Sequence, residues 1–239
     1  MQEVNLLRAL PRTKRNVQQR QSGKDPTVIA VAKQFGQMYF DGPREYGYGG
    51  YRYDGRWVPV ARDIVAHFGL RSGMRVLDIG CAKGFLVKDL MQVCPGLEVF
   101  GVDISHYAIT HSPPETAGRL HVGTADLLAF PSASFDAVLS INTIHNLDRA
   151  RCIRALQEMS RVVRDPRKCF VQIDAYRTDA EKALFESWCL TALTYLTPDE
   201  WIRTFREAGY IGDYFWTILE VGDVLSSRPE RDVRAGTDT

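Results

Sequence analysis

Apolar and polar positions along this chain follow two alternating periods, and the sharpest change of period lies between Arg75 and Val93. Val76, Leu77 and Ile79 are nearly continuous apolar positions, as in a parallel strand covered on both faces. Gly80 and Gly84 punctuate the run, and Phe85 to Val93 then reads at helical spacing. The rhythm repeats downstream. Leu97–Val102, Leu120–Val122, Ala137–Ile141 and Cys169–Ile173 are short apolar runs. Between the last two, Ala150–Val163 is an amphipathic helix with Ile153, Leu156, Met159 and Val163 on one stripe. Thr27–Phe40 and Val58–Phe68 predict helices upstream, and Lys182–Leu196 predicts one downstream. Thr197 and Glu200 form a capping box with Pro198 at the first helical position, and Gly209 ends that helix. Asp213–Glu220 alternates as a strand, expected to lie antiparallel at the end of the sheet. Alternating strands and helices predict an α/β, doubly wound, mostly parallel sheet. Seven strands are expected, with six as the alternative because no clear run supplies a final hairpin strand.

Length and charge narrow the picture. The 239 residues suit one domain with appendages, and 30 Lys and Arg balance 29 Asp and Glu. Such a balance speaks against nucleic-acid and membrane partners. The 5 cysteines are scattered, with no C-x-x-C pair, so no metal site is expected and the thiols read as reduced. With no apolar leader at the start, a cytoplasmic location is the expectation. Residues 1–24 carry Arg8, Arg12, Lys14, Arg15, Arg20 and Lys24 against Glu3 alone and read as a basic, flexible leader. Residues 25–58 hold a helix and then a Tyr/Gly-rich stretch. In that stretch Tyr46, Tyr48, Tyr51, Tyr53 and Trp57 lie among glycines, too many aromatics to leave in water. Residues 59–222 hold the α/β domain, and 223–239 read as a flexible tail.

Candidate chemistry starts at the glycine turn. A nicotinamide or flavin fingerprint needs glycine where the chain has Ala82 and Phe85. The stretch Asp78 to Gly84 is instead D-x-G-x-A-x-G, and Asp103 closes the second strand about twenty residues on, where a carboxylate suits ribose hydroxyls. The turn resembles motif I of the class I S-adenosylmethionine-dependent methyltransferases, with Ala82 in place of the middle glycine. Gly123–Asp136, G-T-A-D-L-L-A-F-P-S-A-S-F-D, is similar to the corresponding stretch of the ubiquinone- and menaquinone-type small-molecule methyltransferases. The likeness spans roughly residues 60 to 175.

The resemblance implies a Rossmann-like fold with an N-terminal helical and aromatic lid. It implies S-adenosyl-L-methionine as cofactor and S-adenosyl-L-homocysteine as product. Tyr46, Tyr51, Asp78, Gly80, Cys81, Ala82, Gly84, Asp103, Ile104, Thr124, Ala125, Asp126 and Asn142 become the candidate cofactor contacts. His145 and Tyr53 become candidate proton acceptors, with a structural histidine the other reading of His145. His145, Asn146, Tyr176, Arg177 and Trp188 become candidate acceptor contacts, Arg177 either clamping an anion or pairing with Asp174 or Glu181. No N-P-P-Y step follows the fourth strand, which favours a small polar acceptor over nucleic acid. A homodimer is allowed. The other function classes are a catalytically silent, cofactor-binding subunit and, more remotely, an NAD-dependent oxidoreductase.

Overall fold

Continuous apolar runs need cover on both faces, and the chain supplies it with helices on either side of one parallel sheet. The computed structural model describes residues 1–11 and 14–224, so the expected tail falls almost wholly outside the described residues. The helices α1 (Val17–Ser22), α2 (Pro26–Ala32), α3 (Gln37–Phe40) and α4 (Val58–Phe68) precede the sheet. Then come β1 (Arg75–Ile79), α5 (Phe85–Val93), β2 (Glu98–Asp103), α6 (His106–Thr110), β3 (Leu120–Val122) and β4 (Ala137–Ile141). The chain continues through α7 (Arg149–Val162), β5 (Cys169–Ala175), α8 (Asp179–Trp188), α9 (Pro198–Ala208) and β6 (Asp213–Ile218).

The strands lie in the order β3-β2-β1-β4-β5-β6. The order reverses between β1 and β4, and the crevice at the carboxyl ends of such a switch is where an open parallel sheet takes ligands. One face is closed by α7 and α9, whose Leu156, Met159, Trp201 and Phe205 pack on Leu77, Val138 and Val171. The other is closed by α4 and α5, whose Ile64 and Leu90 pack on Val76, Val99 and Leu139. No helix among the described residues is long and apolar enough to cross a membrane.

Four expectations change. The described residues hold six strands, the alternative count, because after Ile218 the chain turns into a short 3-10 helix at Val221–Asp223. Strand β6 runs parallel to β5, Phe170 facing Asp213 and Ala175 facing Ile218, because α8 and α9 form a crossover that returns the chain to the same edge. The helix expected over 27–40 breaks at Phe35 (φ +48°) and Gly36. The helix expected over 182–196 starts on a Thr178 cap and stops at Trp188, because Leu193 and Thr194 donate their N–H groups to the His145 carbonyl instead, both at 3.0 Å.

The basic leader is packed. Residues 2–4 lie along the outer edge of β6, where the Val4 N–H donates to Tyr214 O at 2.8 Å and the Tyr214 N–H to Gln2 O at 3.0 Å. Leu6 and Val17 are buried, and Arg8 forks onto Asp63 of α4, both bonds 2.9 Å.

Candidate active site

At the end of β1 the backbone turns back under the crevice, and the glycines are there for sterics. Gly80 has φ +80°, and a Cβ on it would sit 1.9 Å from Thr143 Oγ1. The Gly80 and Cys81 N–H groups donate to Val102 O at 2.7 and 3.1 Å, which staples the turn to β2. The Ala82 N–H donates to Asp103 Oδ2 at 2.8 Å, and the Ser105 N–H to Oδ1 at 2.8 Å. A carboxylate has about four acceptor positions, so Asp103 is oriented from behind and keeps capacity for donors in front. Asp78 is buried one residue before the end of β1. Its burial, and then the nearby Asp103 charge, push its carboxyl up to about 7. Two acids side by side at the mouth of a buried turn suit a ligand bearing positive charge and hydroxyl donors.

The crevice is a cavity of about 760 Å3. Among the expected contacts, Asp78, Gly80, Cys81, Ala82, Asp103, Ile104, Thr124, Ala125, Asn142, Tyr51, His145, Asn146 and Trp188 line it. Ile104 is exposed beside Asp103, and Gly123, Thr124 and Ala125 leave an open wall opposite, a place for a flat ring next to a ribose carboxylate. These groups fit an adenosyl ligand: a hydroxyl acceptor at Asp103, an exposed apolar side chain at Ile104 and a backbone turn on the cavity wall.

Six expected residues do not reach the cavity. Gly84 caps α5 with φ +73° and backs onto Leu120. Asp126 is forked by Arg151, both bonds 2.9 Å, and this hydrogen-bonded pairing holds its carboxyl down at about 2. Tyr46 packs with Val28, Ala32 and Leu190 instead of over the crevice. Tyr53 donates to Asp89 at 2.7 Å; that bond raises its hydroxyl to about 12, so it is no proton acceptor near neutrality. Arg177 bonds Glu181 and Glu220, each at 2.6 Å, the pairing reading rather than the clamp. Tyr176 lies under Lys182, whose ammonium is 5.5 Å from the ring centre.

The aromatic segment closes one side. Tyr48 and Tyr51 line the cavity, and Tyr51 stacks on Phe85 of α5 at 4.8 Å and 15°. Burial pushes the Tyr48 hydroxyl up to about 12. Asp41 pins this segment down: its Oδ2 accepts from Lys83 Nζ at 2.6 Å and Tyr107 Oη at 2.8 Å, and its Oδ1 from the Tyr51 N–H at 3.1 Å. Lys83 is buried inside the glycine turn. Sequence reasoning passed over Asp41, Lys83 and Tyr107; the one signal was a lysine inside a turn otherwise made of small residues.

His145 follows β4, fully buried in the cavity wall. Its Nδ1 accepts from the Asp174 N–H at 3.3 Å, and its Nε2 lies 3.9 Å from Asp174 Oδ2. Burial lowers its basicity and Asp174 opposes that, so the ring is neutral at rest with a carboxylate at hand. Donor atoms of His145, Asp174 and Cys189 lie within 4.8 Å of one another, a nitrogen, an oxygen and a sulfur that could hold a cation. Burial pushes the Cys189 thiol up, which works against that use.

With this geometry in place, residues 77–171 match the family profile described as Methyltransferase domain. That stretch is similar to a methyltransferase domain. The chain is 29% identical over 197 residues to 2-methyl-6-phytyl-1,4-hydroquinone methyltransferase of Synechocystis sp., covering 72% of this chain and 59% of that protein. It is 35% identical over 112 residues to the ubiquinone biosynthesis O-methyltransferase of Azorhizobium caulinodans, covering 41% of this chain and 44% of that one. Its fold is similar to a chain in the solved complex between the Haloferax volcanii Trm112 methyltransferase activator and a methyltransferase. That likeness has a TM-score of 0.53 and 23% identity, covering 62% of this chain and 66% of that one. The chain thus spans only about three-fifths of the Synechocystis protein, 59% of its length.

Proposed function

We propose that the chain transfers the methyl group of S-adenosylmethionine to an oxygen, nitrogen or carbon nucleophile of a small polar molecule and releases S-adenosylhomocysteine. The observation that carries this reading is the Asp103 carboxylate, held by the Ala82 and Ser105 N–H groups at the open edge of the glycine turn, each at 2.8 Å. The names of the two relatives, a hydroquinone and a ubiquinone-biosynthesis methyltransferase, support a small organic acceptor. The oxidoreductase reading draws no support, since Ala82 and Phe85 occupy the positions where its fingerprint needs glycine.

When bound, the cofactor supplies an electrophilic methyl on a sulfonium. Asp103 would hold the ribose hydroxyls, Thr124, Ala125 and Ile104 the adenine, and Asp78 the methionyl ammonium. Little acid–base work is needed for such a displacement; alignment and exclusion of water count for most. Tyr48 and Tyr51 on the cavity wall suit both tasks, and aromatic faces tolerate a cation. A proton released by an oxygen or nitrogen acceptor would be taken up at the His145–Asp174 pair.

Calorimetric titration of the purified chain with S-adenosylmethionine, S-adenosylhomocysteine and NAD tests the reading. Heat from the first two and none from NAD is expected. No heat from either sulfur nucleoside would overturn the assignment.

A further inference from the structure

The leader that the sequence presents as a solvated basic arm delivers its arginines to the cavity. The guanidinium groups of Arg15, Arg20 and Arg44 lie over the ring of Trp188, at 5.4, 5.0 and 5.3 Å from its centre. All four side chains line the crevice. They come from three separate stretches, the leader with α1, the Tyr/Gly-rich segment and the end of α8, so the cluster is assembled by the fold. Three like charges on one indole need a compensating partner. Several other arginines pair with acids, Arg8 with Asp63, Arg56 with Asp54, Arg151 with Asp126, and Arg177 with Glu181. Among the described residues, no carboxylate lies within ion-pair distance of Arg15, Arg20 or Arg44. Arg20 donates instead to the main-chain oxygens of Arg44, Glu45 and Gly47 at 2.7, 2.8 and 3.1 Å, and Arg44 also donates to Gly47 O. Carbonyl oxygens fix the planar forks without cancelling their charge. Burial, and next the neighbouring Arg44, make the Arg20 guanidinium less basic than usual, which shows the same uncompensated charge.

The cavity is therefore polarised. Asp78 and Asp103 line it at the glycine turn, the three arginines line it around Trp188, and Asp174 lines it beside His145 and Cys189. We infer that the Arg15–Arg20–Arg44 cluster on Trp188 is the anion-binding end of the acceptor pocket, and that the methyl acceptor is a small molecule carrying a carboxylate or phosphate. This rests on the methyltransferase reading above. Guanidinium forks match carboxylate and phosphate oxygens in pairs, and their weak hydration suits a half-buried site. An anion so held projects the rest of the acceptor toward His145 and the acidic end, where the methyl group would be presented. A nucleic-acid groove does not fit, because the whole chain is near neutral, at +1.

The test uses the full chain saturated with S-adenosylhomocysteine, titrated calorimetrically with sodium benzoate and with inorganic pyrophosphate, which separate a carboxylate from a phosphate acceptor. Arg15→Gln, Arg44→Gln and the double variant are compared with the parent; Arg20 is left in place because it ties three carbonyls. Thermal unfolding confirms that each variant folds. One of the two anions should bind the parent, and the double variant should lose about tenfold or more of that affinity while its S-adenosylhomocysteine affinity stays within about twofold. Neither anion binding the parent, or the double variant binding as well as the parent, would overturn the inference. So would a parallel loss of S-adenosylhomocysteine affinity, which would assign the arginines to the cofactor's own carboxylate. A parent that binds benzoate or pyrophosphate but no S-adenosylhomocysteine would sink the donor assignment and leave the anion site standing.

Discussion

Ala82 holds the middle of the glycine turn at φ +49°, in the left-handed region where a Cβ costs roughly 1 kcal/mol. Its N–H is needed there for Asp103, so the strain persists. Ala82→Gly should raise stability by up to about 1 kcal/mol, read as a higher denaturant midpoint; a lower midpoint would show that the methyl packs usefully. Asp78 makes the opposite kind of sacrifice. Its carboxyl is held up to about 7 by burial and then by Asp103. Unfolded, it would titrate near its ordinary value of about 3.9, so the folded chain binds the extra proton and loses stability as pH rises from about 4 to about 7. Asp78→Asn removes that loss. Its melting temperature should exceed the parent's near pH 8, by the equivalent of at most about 4 kcal/mol, and match it near pH 4. In S-adenosylhomocysteine titrations the parent's affinity should rise with pH through this window, because only the ionised carboxylate attracts an ammonium. The variant should bind more weakly and without that pH dependence. A variant that kept the parent's affinity and pH profile would remove Asp78 from the site.

Between elements, the contact that turns a loop into a wall is Asp41 with Lys83, 2.6 Å apart, with Tyr107 on the same carboxylate oxygen. Lys83 is buried, so losing it leaves Asp41 without its cation in a poorly hydrated place. Lys83→Met should cost about 1–3 kcal/mol of stability and speed S-adenosylhomocysteine release about tenfold in stopped-flow displacement. An unchanged release rate would mean that the aromatic segment does not gate the cavity. The elements themselves were legible in unequal measure. Strands β1, β4 and β5 are mostly apolar runs, and the 80–84 turn is visible from its glycines, because each is fixed by local sterics and burial. The direction of β6 was not legible, since alternation looks the same in either sense and only the α8–α9 crossover decides it. Tyr46, Tyr51 and Tyr53 look alike in the sequence. Packing alone sends Tyr51 onto Phe85 and Tyr53 onto Asp89, and it turns Asp126 to Arg151 and Arg177 to Glu181. The proposed cofactor end was readable because its residues follow in chain order along one sheet edge. The basic end was not, because Arg15, Arg44 and Trp188 are brought together from stretches far apart.

At the scale of the whole molecule, the leader is a structural member. A parallel sheet ending in β6 would present an open edge to solvent, and residues 2–4 cover it through the Val4 and Tyr214 N–H bonds at 2.8 and 3.0 Å. Leu6 then drops into the α4–α5 side of the core at 4% exposure, and Val17 is buried as α1 begins. Leu7, Leu10 and Pro11 after the first anchor and Arg15 before the second line the cavity, so the placement of Arg15 and Arg20 depends on a segment whose charge pattern reads as mobile. A polar, lysine- and arginine-rich composition predicts disorder only where too little apolar area is buried, and here two aliphatic side chains and an edge ladder suffice. Leu6→Ala should cost about 2–3 kcal/mol, lowering the melting temperature by on the order of 6–10 °C. Because Leu6 lies outside the cavity, the variant should keep the parent's S-adenosylhomocysteine affinity at temperatures where it stays folded. Hydrogen exchange should show the Val4 and Tyr214 amides losing protection together. A melting temperature within about 1 °C of the parent's would mean that the leader rides on the sheet without stabilising it, and the cavity's basic end would then lack a fixed support.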